Sequence, residues 1–212
     1  MHFRCVPDKN ILKTQTIGLL HSEITENCVT NIILIGPVRT GKSTIAQLLS
    51  EKLGLNRASL DELRWDYYRE IGYSDDLARH IRATGGFVAL VFYWKLFDVY
   101  AVERVLAEHK NTIIDFGAGH SVYESTEFLK RAKTLLQHQP NVILILPSPD
   151  ADESIKILNE RTKDLVGSFG QGFNWNEYFV RQSSNYVLAK HTVYTKGKTP
   201  QETCNEIIRL LG

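Results

Sequence analysis

The stretch Asn31-Ile-Ile-Leu-Ile35-Gly36-Pro-Val-Arg-Thr-Gly41-Lys42-Ser43-Thr44 decides the fold of this chain. Its first part is a short, unbroken apolar run, as expected of a strand buried on both faces. Its second part matches G-x-x-x-x-G-K-[ST] at every required position. Glycines at 36 and 41 let the backbone curl so that successive N–H groups point inward, toward phosphate oxygens. Lys42 is expected to reach the β- and γ-phosphates, and the Ser43 hydroxyl to bind Mg²⁺. Residues Gly36, Val38, Arg39, Thr40, Gly41, Lys42, Ser43 and Thr44 form the expected nucleotide cradle. A helix follows, with Ile45, Leu48, Leu49 and Leu53 at helical spacing and Gly54 as its stop. Its positive N-terminal end adds to the attraction for an anion.

Outward from this motif, strand and helix signals alternate. A weaker strand is expected near Arg57 to Leu60, and buried strands at Asn111–Asp115 and Val142–Leu146. A last strand is expected at His191–Thr195. Residues 62–108 read as helical, broken at Gly72 and at Gly85-Gly86. Ser121 and Glu124 have capping-box spacing before a helix carrying Phe128, Leu129, Ala132, Leu135 and Leu136. Residues 164–176 read as a glycine-rich loop, and Tyr178–Leu188 as one helix. Thr199, Pro200 and Glu202 give an N-cap, a first-turn proline and a capping-box partner. Alternation of this kind predicts an α/β fold, three layers with a five-stranded parallel sheet. Ligands then bind beyond the carboxyl ends of the strands. Residues 1–30 read as an extension and 31–212 as the domain.

Composition excludes several other classes. The 25 Lys and Arg against 24 Asp and Glu leave a net charge of +1, which argues against a duplex-binding face. Three scattered cysteines without a CxxC pair argue against a zinc site or disulfide framework and fit a reducing cytoplasm. No run approaches the length of a membrane span. The seven histidines show no metal-ligand spacing.

Other candidates carry two readings each. Asp115, at a strand end, could bind Mg²⁺ or orient an attacking hydroxyl, or cap nearby N–H groups. Gly117-Ala118-Gly119 allows close backbone approach to a ligand, or forms a tight turn. Asp61, 19 residues after Lys42, could face the phosphate loop or cap a helix. Arg161, Lys163 and Arg181 flank the glycine-rich stretch and could close over a nucleotide as a lid spanning 161–181. Trp65, Tyr67, Tyr68, Tyr93 and Trp94 are read as core, and His120 as a weak candidate for substrate contact.

With these residues in view, the chain resembles the shikimate kinase-like branch of P-loop kinases, near the nucleoside monophosphate kinases. The resemblance spans about residues 31–210. It implies strand order 2-3-1-4-5, with ATP and Mg²⁺ as cofactors. It implies phosphoryl transfer to a small-molecule hydroxyl or phosphate acceptor, by a monomer or weak dimer. Asp61 falls where those kinases hold the acceptor hydroxyl, and Phe116-Gly117-Ala118-Gly119 on their triple-glycine loop. Arg181 falls on a substrate-binding arginine, and Thr199-Pro200 on the adenine-contacting loop. Asp115 resembles the monophosphate kinases instead. The family's Asp-x-Asp is Ser59-Leu60-Asp61 here. The arginine that grips the shikimate carboxylate has Arg82 as its nearest candidate, since Gly85 stands close to its place. These departures argue against shikimate itself as the substrate. Two alternatives remain: an ATPase acting on a protein partner, and a nucleotide or polynucleotide kinase using Arg64, Arg69, Arg79 and Arg82.

Overall fold

A computed structural model describes residues 30–165 and 172–211. The expected extension (apart from Thr30) and part of the expected lid, residues 166–171, lie outside the described residues.

Five strands form one parallel sheet: β1 (Ile32–Ile35), β2 (Asn56–Ser59), β3 (Thr112–Asp115), β4 (Asn141–Leu146) and β5 (His191–Tyr194). Their spatial order is β2-β3-β1-β4-β5, and every neighbouring pair is parallel. The three central strands are the apolar ones because helices cover both of their faces. In β1, Ile33 and Ile35 face one core while Ile32 and Leu34 face the other. β2 and β5 lie at the edges, where burial is partial. That is why β2, sequence Asn-Arg-Ala-Ser, carries so faint a strand signal.

Two helices cover one face: α1 (Lys42–Leu53), by Ile45 and Leu49, and the closing helix (Pro200–Leu211), by Cys204 and Ile207. The opposite face is covered by α2 (Leu60–Glu70), α3 (Asp75–Glu108), α4 (Thr126–Leu136), α5 (Ala151–Arg161), α6 (Trp175–Arg181) and α7 (Ser183–Leu188). The closing helix is therefore α8. A single 3₁₀ turn, Lys163–Leu165, follows α5.

The helical insert after β2 breaks where expected. Gly72 has φ 89°, between α2 and α3. Gly86, at φ 73° and ψ −171°, kinks α3 into two segments; this backbone region is open essentially to glycine alone. α3 is long and apolar enough to cross a membrane by length and composition, with a mean hydropathy of 1.4 over its best window. Lys95 and Asp98 interrupt it, so it holds no unbroken apolar run of that length. Its Val99, Val102 and Val105 lie in the protein core.

Two helix boundaries differ from expectation. α4 is capped by Ser125, whose hydroxyl accepts from Phe128 N, and not by Ser121. Ser121 is buried and donates to Asn185 Oδ1 at 2.7 Å, so a tertiary partner takes the side chain that looked like a cap. Tyr178–Leu188 is not one helix. Gln182, at φ −70° and ψ 117°, separates α6 from α7.

The Thr199 capping box forms as expected. Glu202 Oε2 accepts from Thr199 N at 2.7 Å and from its hydroxyl at 2.9 Å, and Glu202 N donates to Thr199 Oγ1.

Candidate active site

Every strand but β4 delivers a chemically relevant residue just past its carboxyl end. β1 leads to Gly36, β2 to Asp61, β3 to Asp115 and Gly117, and β5 to Thr195. This is where parallel α/β sheets bind ligands.

The loop after β1 has the shape its glycines imply. Gly36 has φ 132°, and a Cβ there would meet Ile145 O at 2.5 Å. Gly41 has φ 98° and is the N-cap of α1 with no side-chain capping bond. The first N–H groups of α1 are therefore left for an anion rather than for a side chain. Thr40 turns inward, donating to Pro37 O at 3.0 Å. Lys42 is buried and donates to Gly36 O at 2.8 Å and Pro37 O at 2.7 Å. Burial lowers its pKa to about 8, against the raising influence of Asp61 and Asp115. Both carboxylates thus act electrostatically on the loop lysine, although neither bonds to it. Ser43 and Thr44 are exposed at the start of α1.

Two cavities flank this loop. The first is lined by Arg39, Thr40, Gly41, Thr44, Ile45, Arg161, Thr195, Lys198, Pro200 and Thr203. Its features suit a nucleotide. Arg161 donates to Arg39 O at 3.3 Å, and Arg39 is ion-paired with Asp164 at 2.6 Å. These contacts hold the end of α5 over the loop. Thr195 Oγ1 is buried without a hydrogen-bond partner among the described residues. Pro200 lines this cavity, while the hydroxyl of Thr199 is spent on capping α8. Thr195 and Lys198 carried no sequence signal that would single them out.

The second cavity, of about 160 Å³, is lined by Val38, Asp61, Arg64, Phe87, Val91, Trp94, Asp98, Ala118, Gly119, Trp175 and Phe179. Val38, on the loop after β1, lines this cavity. Asp61 lies against Gly117, where a Cβ would come within 2.0 Å of Asp61 Oδ1. The small residue at 117 is needed for this approach. Gly119 is less constrained, with Asp98 Oδ2 at 3.4 Å from an added Cβ.

Beneath this cavity lies a buried polar cluster. Lys95 donates to Gly119 O at 2.8 Å and Val122 O at 2.7 Å, and pairs with Asp98 at 3.3 Å. Tyr68 donates a short bond to Asp98, and His120 Nε2 stands 3.7 Å from Asp98 Oδ1. Burial pushes the Asp98 carboxyl up, but Lys95, His120 and Tyr68 together outweigh it and hold it below the usual carboxylate range. Burial pushes the His120 imidazole down, against the raising influence of Asp98 and Asp61. Lys95 and Asp98 are charges three apart in an apolar helix, and that anomaly was visible in the sequence.

Several expected site residues have other partners. Both oxygens of Asp115 accept from Arg57, at 3.2 and 3.1 Å, so the carboxylate is already engaged. Arg57, on a faint edge strand, gave no sequence signal of this role. Arg181 lines neither cavity; Asp152 and Glu177 hold its guanidinium. Arg82 also lies outside both cavity walls, 5.6 Å over the ring of Phe87. The arginine that does line the second cavity is Arg64. Arg69 and Arg79 line neither cavity; they are exposed and paired locally with Asp66 and Asp76. Among the described residues, no cluster of His, Cys, Asp and Glu could by itself hold a metal ion.

No family model matches the chain. In sequence it is 24% identical to shikimate kinase of Persephonella marina over 180 residues, 84% of this chain and 96% of that protein. It is 28% identical to shikimate kinase of Streptomyces coelicolor over 178 residues, 81% of this chain and 89% of that protein. In fold it matches shikimate kinase from Acinetobacter baumannii, solved in complex with shikimate, with TM-score 0.59 at 18% identity. That match covers 90% of this chain and 96% of the other. Shikimate kinase from Aquifex aeolicus matches with TM-score 0.52 at 22% identity, over 86% and 96% of the two chains. Phosphate loop, strand order and sequence similarity along most of the chain agree: the chain has the five-stranded P-loop fold of these shikimate kinases and is similar to them in sequence.

Proposed function

We propose that the chain transfers the γ-phosphoryl group of ATP to a hydroxyl of a small molecule held in the Asp61 cavity. One observation carries this reading: the phosphate loop is a partition. Consecutive residues Val38 and Arg39 face different cavities, so a nucleotide on one side and an acceptor on the other would meet across it.

In this mechanism the loop N–H groups and the start of α1 bind the phosphates. Lys42 leaves the carbonyls of Gly36 and Pro37 to follow the transferring group. Arg161, poised at the rim, adds charge there. The acceptor oxygen bonds to the γ-phosphorus as the bond to ADP breaks, and Asp61 takes the hydroxyl proton. Asp115, locked to Arg57, acts on Lys42 at a distance by its charge. Mg²⁺ would be held by Ser43 together with the nucleotide's own phosphates, and would supply charge neutralisation there. The available hydroxyl at the helix start fits that role. Shikimate kinase relatives and a cysteine-poor chain support a cytoplasmic enzyme with a small-molecule acceptor.

The test is isotope transfer. Lys42→Ala should abolish transfer from γ-labelled ATP into a metabolite extract while leaving thermal unfolding nearly unchanged. Full transfer by this variant overturns the reading. So does release of free phosphate by the unaltered protein with no acceptor labelled.

A further inference from the structure

The charges around the second cavity narrow the class of acceptor. Three ionisable side chains line it: Asp61, Arg64 and Asp98. Each is already matched. Arg64 Nη1 lies 3.6 Å from Asp61 Oδ1. Its guanidinium packs into the corner formed by two edge-on indoles, 4.3 Å from the Trp65 ring centroid and 4.9 Å from that of Trp94. Its Nε is buried away from solvent and has no hydrogen-bond partner among the described residues, so that donor does not open into the cavity. Asp98 is balanced by Lys95, whose ammonium also spends donors on two backbone carbonyls. The cavity with its supporting lysine is therefore neutral in sum. An acceptor carboxylate or phosphate placed here would have to win Arg64 away from Asp61, or remain a buried charge without a partner.

The remaining wall is apolar and largely aromatic. Phe87 meets Trp94 edge-on at 5.9 Å and Trp175 at 5.2 Å, so the three rings form a continuous surface. The polar edge of Trp94 is directed elsewhere, to Tyr73 Oη at 3.4 Å. An apolar, aromatic surface of this kind favours a ligand with an apolar body of ring size.

We infer that the acceptor is an uncharged hydroxyl compound with a flat apolar ring, seated against Phe87, Trp94 and Trp175 with its hydroxyl at Asp61. The inference rests on reading this cavity as the acceptor site, and it specifies what that site admits. Arg64 is then a positioning residue: it orients Asp61 and packs the aromatic wall, and it does not anchor an anion.

The test uses two probes of the same shape, para-(hydroxymethyl)benzamide and para-(hydroxymethyl)benzoate. The chain has three tryptophans, Trp65, Trp94 and Trp175, all at or next to this wall, so intrinsic fluorescence of the full-length protein reports occupancy directly. The amide should bind about tenfold more tightly than the carboxylate, the cost of placing one uncompensated charge there. Arg64→Gln should keep this order. Benzoate binding as tightly as benzamide or more tightly, or no response to either probe, would overturn the inference. The titration needs no phosphoryl transfer. A protein that binds the amide and labels nothing keeps this cavity chemistry and loses the kinase reading. One that phosphorylates only carboxylates does the reverse.

Discussion

At the scale of single residues, the site depends on what one position lacks and on one proton. Gly117 has no Cβ because Asp61 occupies that space. Gly117→Ala should push Asp61 off its position and cut transfer by about a hundredfold, as small misplacements in a reacting pair do. Gly119→Ala meets only ordinary contacts and should keep most activity. Steady-state kinetics of the two variants checks the contrast, and equal losses would deny Asp61 its role. Lys42 supplies the second prediction. Its pKa is lowered to about 8 in the free protein by burial. Phosphates beside it would raise that value again, so binding takes up a proton where the free lysine is already deprotonated. ATP affinity should be full below about pH 8 and fall as pH rises through and above it. Calorimetry in buffers of different ionisation enthalpy would detect the uptake, and Lys42→Ala should abolish it. The lysine and its loop were legible in the sequence because their spacing is itself the mechanism. The difference between Gly117 and Gly119 was not, because it depends on which side chain arrives opposite each of them.

At the scale of elements, α3 is the unusual one. It is apolar enough to resemble a membrane span, yet it carries Lys95 and Asp98 inside the protein. The pair ties the helix to the loop after β3 through the carbonyls of Gly119 and Val122. Lys95→Met should strand a buried carboxylate and cost about 3–5 kcal/mol of stability. Adding Asp98→Asn should recover part of that loss, by urea denaturation. A single variant as stable as the parent would mean that the pair is not buried in solution. The helix and its break at Gly86 were legible from composition and from the glycine pair. The edge strand β2 was nearly silent, because an edge strand needs few apolar residues. The false cap at Ser121 failed for the opposite reason: its local pattern was sound, and Asn185 outcompeted it.

At the scale of the whole molecule, the sheet assembles the site from pieces far apart in the chain. Gly36, Asp61, Gly117 and Thr195 come from four strand ends and converge because all five strands run the same way. A local spacing rule can place a motif on one strand end, as it did for Gly36 to Thr44. It can also state that partners will lie at the other ends. It cannot say which basic residue among many will point inward. Arg181 and Arg82 had suitable positions in the chain, but carboxylates on α5 and α6 and the ring of Phe87 hold them outside the cavity walls. Arg64 gained the inward place because Trp65 and Trp94 flank it.

The sequence by itself determined the parallel α/β architecture and the phosphate loop. Both are written in short-range patterns: unbroken apolar runs for strands covered on two faces, and glycines at fixed offsets for a backbone that must curl. The tertiary structure alone decided the acceptor wall, the engagement of Asp115 by Arg57 and the neutrality of the Asp61 cavity. Those depend on distances between residues tens of positions apart, and such distances are set by how helices pack against the sheet.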